Sequence, residues 1–266
     1  MSAATLQGND PAGAPREDHP TLIAVEDLTI GYDGKVIQQQ LSFNVERGEI
    51  FAILGGSGSG KSSLLKNLIG LSRPMSGRIL IGGEDITTAE GEQRQQILQK
   101  FGVTYQGGAL FGSLSVLENV SLPLEEFTDL PPPTRRWIAL AKLNQVGLLA
   151  AANKMPAELS GGMLKRAAIA RAMALDPGLL FLDEPSAGLD PVTSAELDQT
   201  VLRLSRGFGI TFVIVTHELP SIYAIADRCI MLDAATKTIV ARGVPAQLRD
   251  HAVDPAVQRF FRREPA

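Results

Sequence analysis

Cysteine is almost missing from this chain: Cys229 is the only one in 266 residues. It cannot close an internal disulfide, it excludes a zinc site built on several thiolates, and a reducing cytoplasm is the compartment it fits. Long hydrophobic runs are missing as well. Ile210 to Val215, broken only by Thr211, falls far short of the roughly 18 to 20 apolar residues that a bilayer-spanning helix needs, so any membrane role is expected to be peripheral. There is no basic excess. A formal net charge of -4 supplies no overall field for nucleic acid, so none is expected as a partner, although the total does not exclude a local basic patch. The first twenty residues hold neither the basic cluster nor the apolar core of a targeting signal, and their Ala, Gly, Pro, Asp and Gln mixture reads as a disordered tail. No internal repeat, heptad run or further low-complexity block follows.

What remains is an ordinary globular composition, 44% hydrophobic and 20% charged, enough for one large core or a core plus a subdomain. Leu22 to Ile30, Val36 to Val45 and Glu49 to Leu54 are β-rich, with turn chemistry at Asp33-Gly34 and Arg47-Gly48. Hairpins leading into a buried strand are the expected outcome. Helix is expected over Ser62 to Leu71, and strand over Arg78 to Ile81. From Gly107 to Ala157 the pattern changes to helices broken by Pro123 and by Pro131-Pro132-Pro133, which suggests an inserted helical subdomain over about 107–160. Beyond it, helix Gly161 to Leu175, strand Leu179 to Leu182, helix Val192 to Arg206, strand Ile210 to Val215 and helix Leu219 to Ala226 alternate. That alternation implies a mostly parallel sheet covered on both faces.

The chemistry is concentrated in short motifs. Gly55-Gly56-Ser57-Gly58-Ser59-Gly60-Lys61-Ser62 matches the phosphate-loop pattern, follows an apolar strand and opens a helix continuing through Ser63. Glycines let backbone N–H groups wrap a β-phosphate, Lys61 reaches the β and γ oxygens, and the Ser62 hydroxyl is placed for Mg²⁺. Leu179 to Leu182 is a strand ending in Asp183 and Glu184, at the sheet edge where α/β folds bind ligands. Asp183 is expected to hold Mg²⁺ through its water shell, and Glu184 to act as general base on the attacking water. Ser160-Gly161-Gly162, followed by Met163, Lys165 and Arg166, reads as a second helix start suited to phosphate. Two anion-binding helix starts suggest a nucleotide shared between two copies.

With Gln106 after Val103-Thr104-Tyr105, the run Ser186-Ala187-Gly188-Leu189-Asp190 and Thr216-His217 added, the chain resembles the ATP-binding subunits of ABC transporters from about Leu22 to Gly243. The resemblance implies an α/β fold: a RecA-like P-loop ATPase core with an antiparallel β subdomain and an inserted α-helical subdomain. It implies ATP and Mg²⁺ as cofactors. It further implies that Tyr32 stacks on adenine and that Gln106 senses Mg²⁺ and the attacking water while linking to the helical lobe. In the same way, Ser160 and Gly162 contact the γ-phosphate held by a second copy, Asp190 crosses the interface between copies, and His217 contacts the γ-phosphate. Tyr32 as a strand aromatic, Gln106 as a loop residue and His217 as a core histidine stay open beside these roles. Met163 stands where most of the family has Gln.

Within the family, Gln106 to Phe111, Leu114 to Val120, Leu122-Pro123-Leu124, the Ser-Gly-Gly-Met variant and the tail Asp254 to Phe261 are similar to the ATPases of Mla-type, MCE-associated phospholipid systems. That similarity implies a homodimer at the cytoplasmic face of the inner membrane, beneath an integral-membrane permease. A periplasmic or cell-wall-side MCE-domain protein and a STAS-domain subunit are the further partners it implies. An importer ATPase for a polar solute is the alternative within transport, and a non-transport ATPase on nucleic acid or the ribosome the alternative outside it. Coupling is expected to pass from Gln106 into Leu110 to Leu117; for Phe260-Phe261 in the extension 244–266, docking on the partner copy and a plain surface helix or frayed end both stay open.

Overall fold

The computed structural model describes residues 20–263; the tail expected over 1–20 lies outside them apart from Pro20. The chain opens with an antiparallel pair, β1 (Thr21–Tyr32) and β2 (Lys35–Glu46). Asp33 and Gly34 both take positive φ between Tyr32 and Lys35, the two-residue turn whose twist matches that of the flanking strands. With β4 (Ser76–Ile81) and β5 (Glu84–Asp85) these strands make a sheet of order β2-β1-β4-β5.

The second sheet carries the site. Its order is β10-β9-β3-β8-β7-β6, from β3 (Ile50–Gly55), β6 (Phe101–Thr104), β7 (Leu179–Asp183), β8 (Thr211–Val215), β9 (Arg228–Leu232) and β10 (Ile239–Gly243). All pairs are parallel except β10 with β9. β3 and β8 are buried along their whole lengths, as expected for strands covered on both faces. Phe101 meets Phe181 edge to face at 5.2 Å, and with Val213 and Leu64 they belong to the core beneath α1 (Lys61–Leu68).

A second apolar cluster joins the other face of this sheet, through Leu180, Phe212 and Leu182, to α3 (Val116–Phe127), α4 (Pro132–Gln145), α5 (Gly161–Ala172) and α6 (Pro191–Phe208). Between the two sheets' strands lies α2 (Gly91–Leu98), which the periodicity does not announce because a single residue of it, Ile97, is buried. The break expected at Pro123 does not occur: α3 runs through it to Phe127. The ring removes only the bond to Asn119's carbonyl. A capping box between Ser115 and Glu118 fixes the helix start, and buried Val120 and Leu124 flank the proline. Asn119, fully buried, instead uses its amide to hold the carbonyls of Phe111, Leu114 and Ser115.

The chain closes with α7 (Leu219–Ile225), α8 (Pro245–His251) and α9 (Pro255–Arg262). Phe261 does not present itself to a partner copy: it is buried against Tyr223 and Phe260, in a cluster with Leu219, Ile222 and Met231, and its carbonyl accepts from Tyr223 Oη at 2.6 Å. Cys229 lies in the same cluster, where burial pushes its thiol up to about 12.

Candidate functional site

Because β8 lies between β3 and β7, three segments distant in sequence leave the C-terminal edge of one sheet side by side. They are the phosphate loop after β3, Asp183-Glu184 at the end of β7 and Thr216-His217 after β8. Backbone bonds set their heights: Glu184 donates to the Val215 carbonyl at 2.8 Å, and Thr216 donates to Ile53 at 3.3 Å. Such an edge is where open α/β sheets bind ligands.

The loop residues Gly55, Gly56, Ser57, Gly58, Ser59 and Gly60 wrap the start of α1, with Gly58 and Gly60 in left-handed backbone. Lys61 folds its ammonium back onto the loop, donating to the Gly55 and Gly56 carbonyls at 2.9 and 3.0 Å. Ser62 is exposed and Ser63 half-buried on the first turn of α1. Beside them opens a cleft of about 400 Å³, walled by Lys35, Val36 and Ile37 of β2, by Gly58 to Ser63, and by Ala234 and Lys237. Tyr32, Ser160 and Asp190 do not line it. Lys35 and Lys237 went unnoticed in the sequence because no motif marks them; the β9–β10 turn reaches the loop only in three dimensions.

The acids are in tension with their surroundings. Asp183 Oδ1 and Glu184 Oε2 are buried without a hydrogen-bond partner, and Glu184 takes a positive φ of 44°, a conformation costly for a residue with Cβ. Burial first, and the Glu184 charge second, push the Asp183 carboxyl up, while Lys61 and Lys165 pull it down. Burial lowers both ammonium groups, with Asp183 and Glu184 opposing it. Two carboxylates and two ammoniums thus share one partly desolvated spot, the environment in which protonation states are tuned for chemistry. His217 is more than half exposed, and its Nδ1 lies 2.8 Å from Glu184 Oε1; it is not a core histidine.

Lys165 is a residue whose part the sequence did not reveal. Its Nζ donates to the carbonyl of Gln106 and, at 3.4 Å, to that of Glu184, so α5 ties the Gln106 loop to the end of β7. Arg171, further along α5, holds the carbonyls of Gly108 and Ala109 at 3.2 and 2.8 Å. The Gln106 side chain itself is exposed. Ser160 caps α5, accepting from the Met163 N–H at 3.3 Å, and stays exposed together with Gly161. Gly162 is buried, and a Cβ there would lie 2.3 Å from Thr193 Cγ2, so the close approach of α5 to α6 bars a side chain. The Asp190 carboxylate is occupied within its own chain, accepting from Val192 N and Thr193 N at 3.0 and 3.1 Å as the cap of α6. Met163 is partly buried and packs against the second cluster, so its thioether fills apolar space.

A strand–glycine loop–helix cradle with a lysine, beside an acidic pair ending the strand two places over in the sheet, defines a P-loop nucleotide hydrolase. The ABC transporter family profile matches residues 38–187, and the chain belongs to that family, as an ATP-binding ATPase. It is similar to the intermembrane phospholipid transport system ATP-binding protein MlaF of Haemophilus influenzae, at 39% identity over 243 residues and 91% of each chain. It is also similar to the probable ribonucleotide transport ATP-binding protein mkl of Mycobacterium leprae, at 40% over 239 residues, 90% of this chain and 68% of that one. Among solved structures, the dimeric bacterial ABC transporter cassette MJ0796 is 30% identical with a TM-score of 0.75, over 84% of this chain and 98% of that one. A post-hydrolysis state of the same cassette, also dimeric, holds ADP and Pi. None of the described helices is long and apolar enough to cross a membrane.

Proposed function

We propose that the chain powers phospholipid transport as the ATPase pair of an Mla-type ABC system, at the cytoplasmic face of the inner membrane. The observation that carries this reading is the 39% identity to a phospholipid-transport ATPase along 91% of both chains. A permease above the pair, an MCE-domain protein and a STAS-domain subunit complete the system.

In each composite site Tyr32 stacks on adenine, the N–H groups of Gly55 to Lys61 and the Lys61 ammonium hold the phosphates, and Ser63 closes the cradle. Glu184 takes a proton from the attacking water, steadied by His217 on its Oε1. Ser160 and the N-terminus of α5, exposed in the single chain, face the triphosphate of the second copy, with Gly162 and Asp190 at the seam. The arrangement suits Mg²⁺: the unpartnered Asp183 oxygen and the Ser62 hydroxyl offer hard oxygen ligands, and among the described residues no acidic or histidine cluster could cage a metal alone. That is how Mg²⁺ binds when substrate phosphates complete its shell. When bound, Mg²⁺ would neutralise charge developing on the phosphates, with the exposed Gln106 amide as a further polar group that would hold it.

The permease segment docks in a groove of about 260 Å³ lined by Gln95, Leu98, Phe101, Pro123, Phe127 and Arg171, among others. Leu98 and Phe127 are exposed there, and Arg171 reaches the carbonyls of Gly108 and Ala109, two and three residues past Gln106. Occupancy of the groove is thereby felt at the nucleotide. A second reading, an ATPase for a polar solute, is favoured by the equal identity to the Mycobacterium leprae protein; that relative has about a third of its length outside the match. Affinity isolation from solubilised membranes, with mass identification of companions and lipid analysis, separates the two. An MCE-domain protein with phospholipid supports the first, and a soluble solute-binding protein overturns it.

A further inference from the structure

Gln38 is the fourth residue of β2, one residue past the strand's contribution to the cleft wall, and it is fully buried. Its amide Nε2 donates to two carbonyls that are far apart in sequence, Ser59 of the phosphate loop and Asp233 of the β9–β10 turn, each at 2.8 Å. The amide oxygen is buried with no partner. An unpaired buried oxygen destabilises, so packing alone does not account for an amide at this position. Next to it, the Gln39 N–H donates to the Lys237 carbonyl at 2.9 Å. The strand is therefore laced to the turn by two consecutive residues.

We propose that Gln38 is a positioning residue for nucleotide binding: it aims the Ser59–Gly60 peptide so that an N–H faces the phosphate. No cis peptide is present among the described residues, and in a trans peptide the C=O and the following N–H point in opposite directions. With the Ser59 carbonyl drawn down onto Gln38, the Gly60 N–H is turned up, away from β2 and into the concave side of the loop. Gly60 is held in left-handed backbone, φ 84°, as the cap of α1. A side chain is also barred there, because a Cβ would lie 2.8 Å from Ile37 Cγ2 and 3.0 Å from Gln38 Cγ. The second N–H of Gln38 anchors the device. It grips Asp233, whose carboxylate organises its own turn by accepting from Ala235 N and Thr236 N at 3.0 and 2.8 Å. That turn carries Ala234 and Lys237 to the opposite wall of the cleft. One amide thus sets the phosphate cradle and its facing wall relative to each other.

This inference rests on the ATP-binding reading of the cleft and is tested through it. Gln38→Met keeps length and volume but removes both donors. ATP binding is measured by calorimetric titration of the full chain well below its unfolding transition, so that only folded protein is read. Two ordinary hydrogen bonds correspond to roughly a tenfold change in affinity. The expected result is Kd for ATP raised about tenfold with kcat at saturating ATP within about twofold of wild type, because Glu184 and His217 are untouched. The melting temperature should fall modestly, because loss of the orphan oxygen only partly offsets the two carbonyls left without their donor. Asp233→Ala, which loosens only the turn, should weaken ATP severalfold, and combining it with Gln38→Met should add nothing further. Unchanged Kd in Gln38→Met, or strictly additive effects in the pair, overturns the proposal. If Gln38→Met does not fold, unchanged Kd in Asp233→Ala alone overturns it. A wild-type chain that fails to bind ATP instead sinks the ATPase reading itself.

Discussion

Replacing Glu184 by Gln tests the chemistry most directly, because the structure isolates what changes. The amide has the volume of the acid, and Lys61, Ser62 and Asp183 keep their places. The carboxylate's Oε1 is engaged by His217 Nδ1 at 2.8 Å, and its Oε2 is buried with no protein partner, leaving that oxygen as the proton acceptor for a water. A positioned general base contributes about 10²- to 10⁴-fold to rate, so kcat should fall by that factor, a barrier increase of about 3–5 kcal/mol. Binding should not suffer. Glu184 is among the charges that oppose the burial of Lys61, and its removal leaves the ammonium with one competitor fewer for phosphate. ATP should therefore bind at least as tightly, and the variant should accumulate as a closed dimer under ATP. Steady-state phosphate release, equilibrium nucleotide binding and size-exclusion chromatography with ATP read the three consequences. Turnover within threefold of wild type, with ATP bound, would refute the assignment of the base.

Gly162→Ala should lower stability by about 1–3 kcal/mol and impair turnover, because its methyl collides with Thr193 Cγ2 at 2.3 Å. Adding Thr193→Ser removes that methyl, keeps the hydroxyl on Asp190 and should restore both, read by thermal melts and phosphate release. Phe261→Ala should cost about 3 kcal/mol in the docking of α9, seen as earlier proteolysis of the C-terminal helices. Asp198, buried on α6, is pushed up to about 6 by burial, with the Ser221 hydroxyl pulling the other way. A raised carboxyl leaves stability intact below about 3.9, its unfolded value, and lowers it as pH rises through about 6, by on the order of 3 kcal/mol at pH 7. Asp198→Asn should flatten that slope in denaturant titrations at pH 5 and pH 8, and an unaltered slope would count against the buried charge.

The site was legible in the sequence wherever its residues are close together in the chain. Gly55 to Ser62 and Asp183-Glu184 declare themselves because each needs only a strand end and a few adjacent residues. The alternation of strands with helices likewise announced the parallel sheet. What was not legible depends on long-range closure. Gln38 meets Asp233 across 195 positions, and Lys165 meets the Gln106 carbonyl across 59; no local periodicity encodes either. Pro123 misled because the usual penalty assumes an isolated helix, whereas α3 is held by its cap and its buried face. Phe260-Phe261 looked like an exposed anchor because the apolar surface awaiting it, Tyr223 with Leu219, belongs to a helix more than thirty residues upstream.

The placing of β3 has a consequence for how the protein is made. Its two neighbours in the sheet, β8 and β9, are both drawn from residues 211–232, although β3 itself leaves the ribosome some 160 residues sooner. A nascent chain halted before residue 211 has the phosphate loop at the end of a strand with neither edge bonded. Translation must run almost to its last helices before the ATP cradle can set, and a stalled, tethered fragment carrying every residue of that loop should retain no nucleotide.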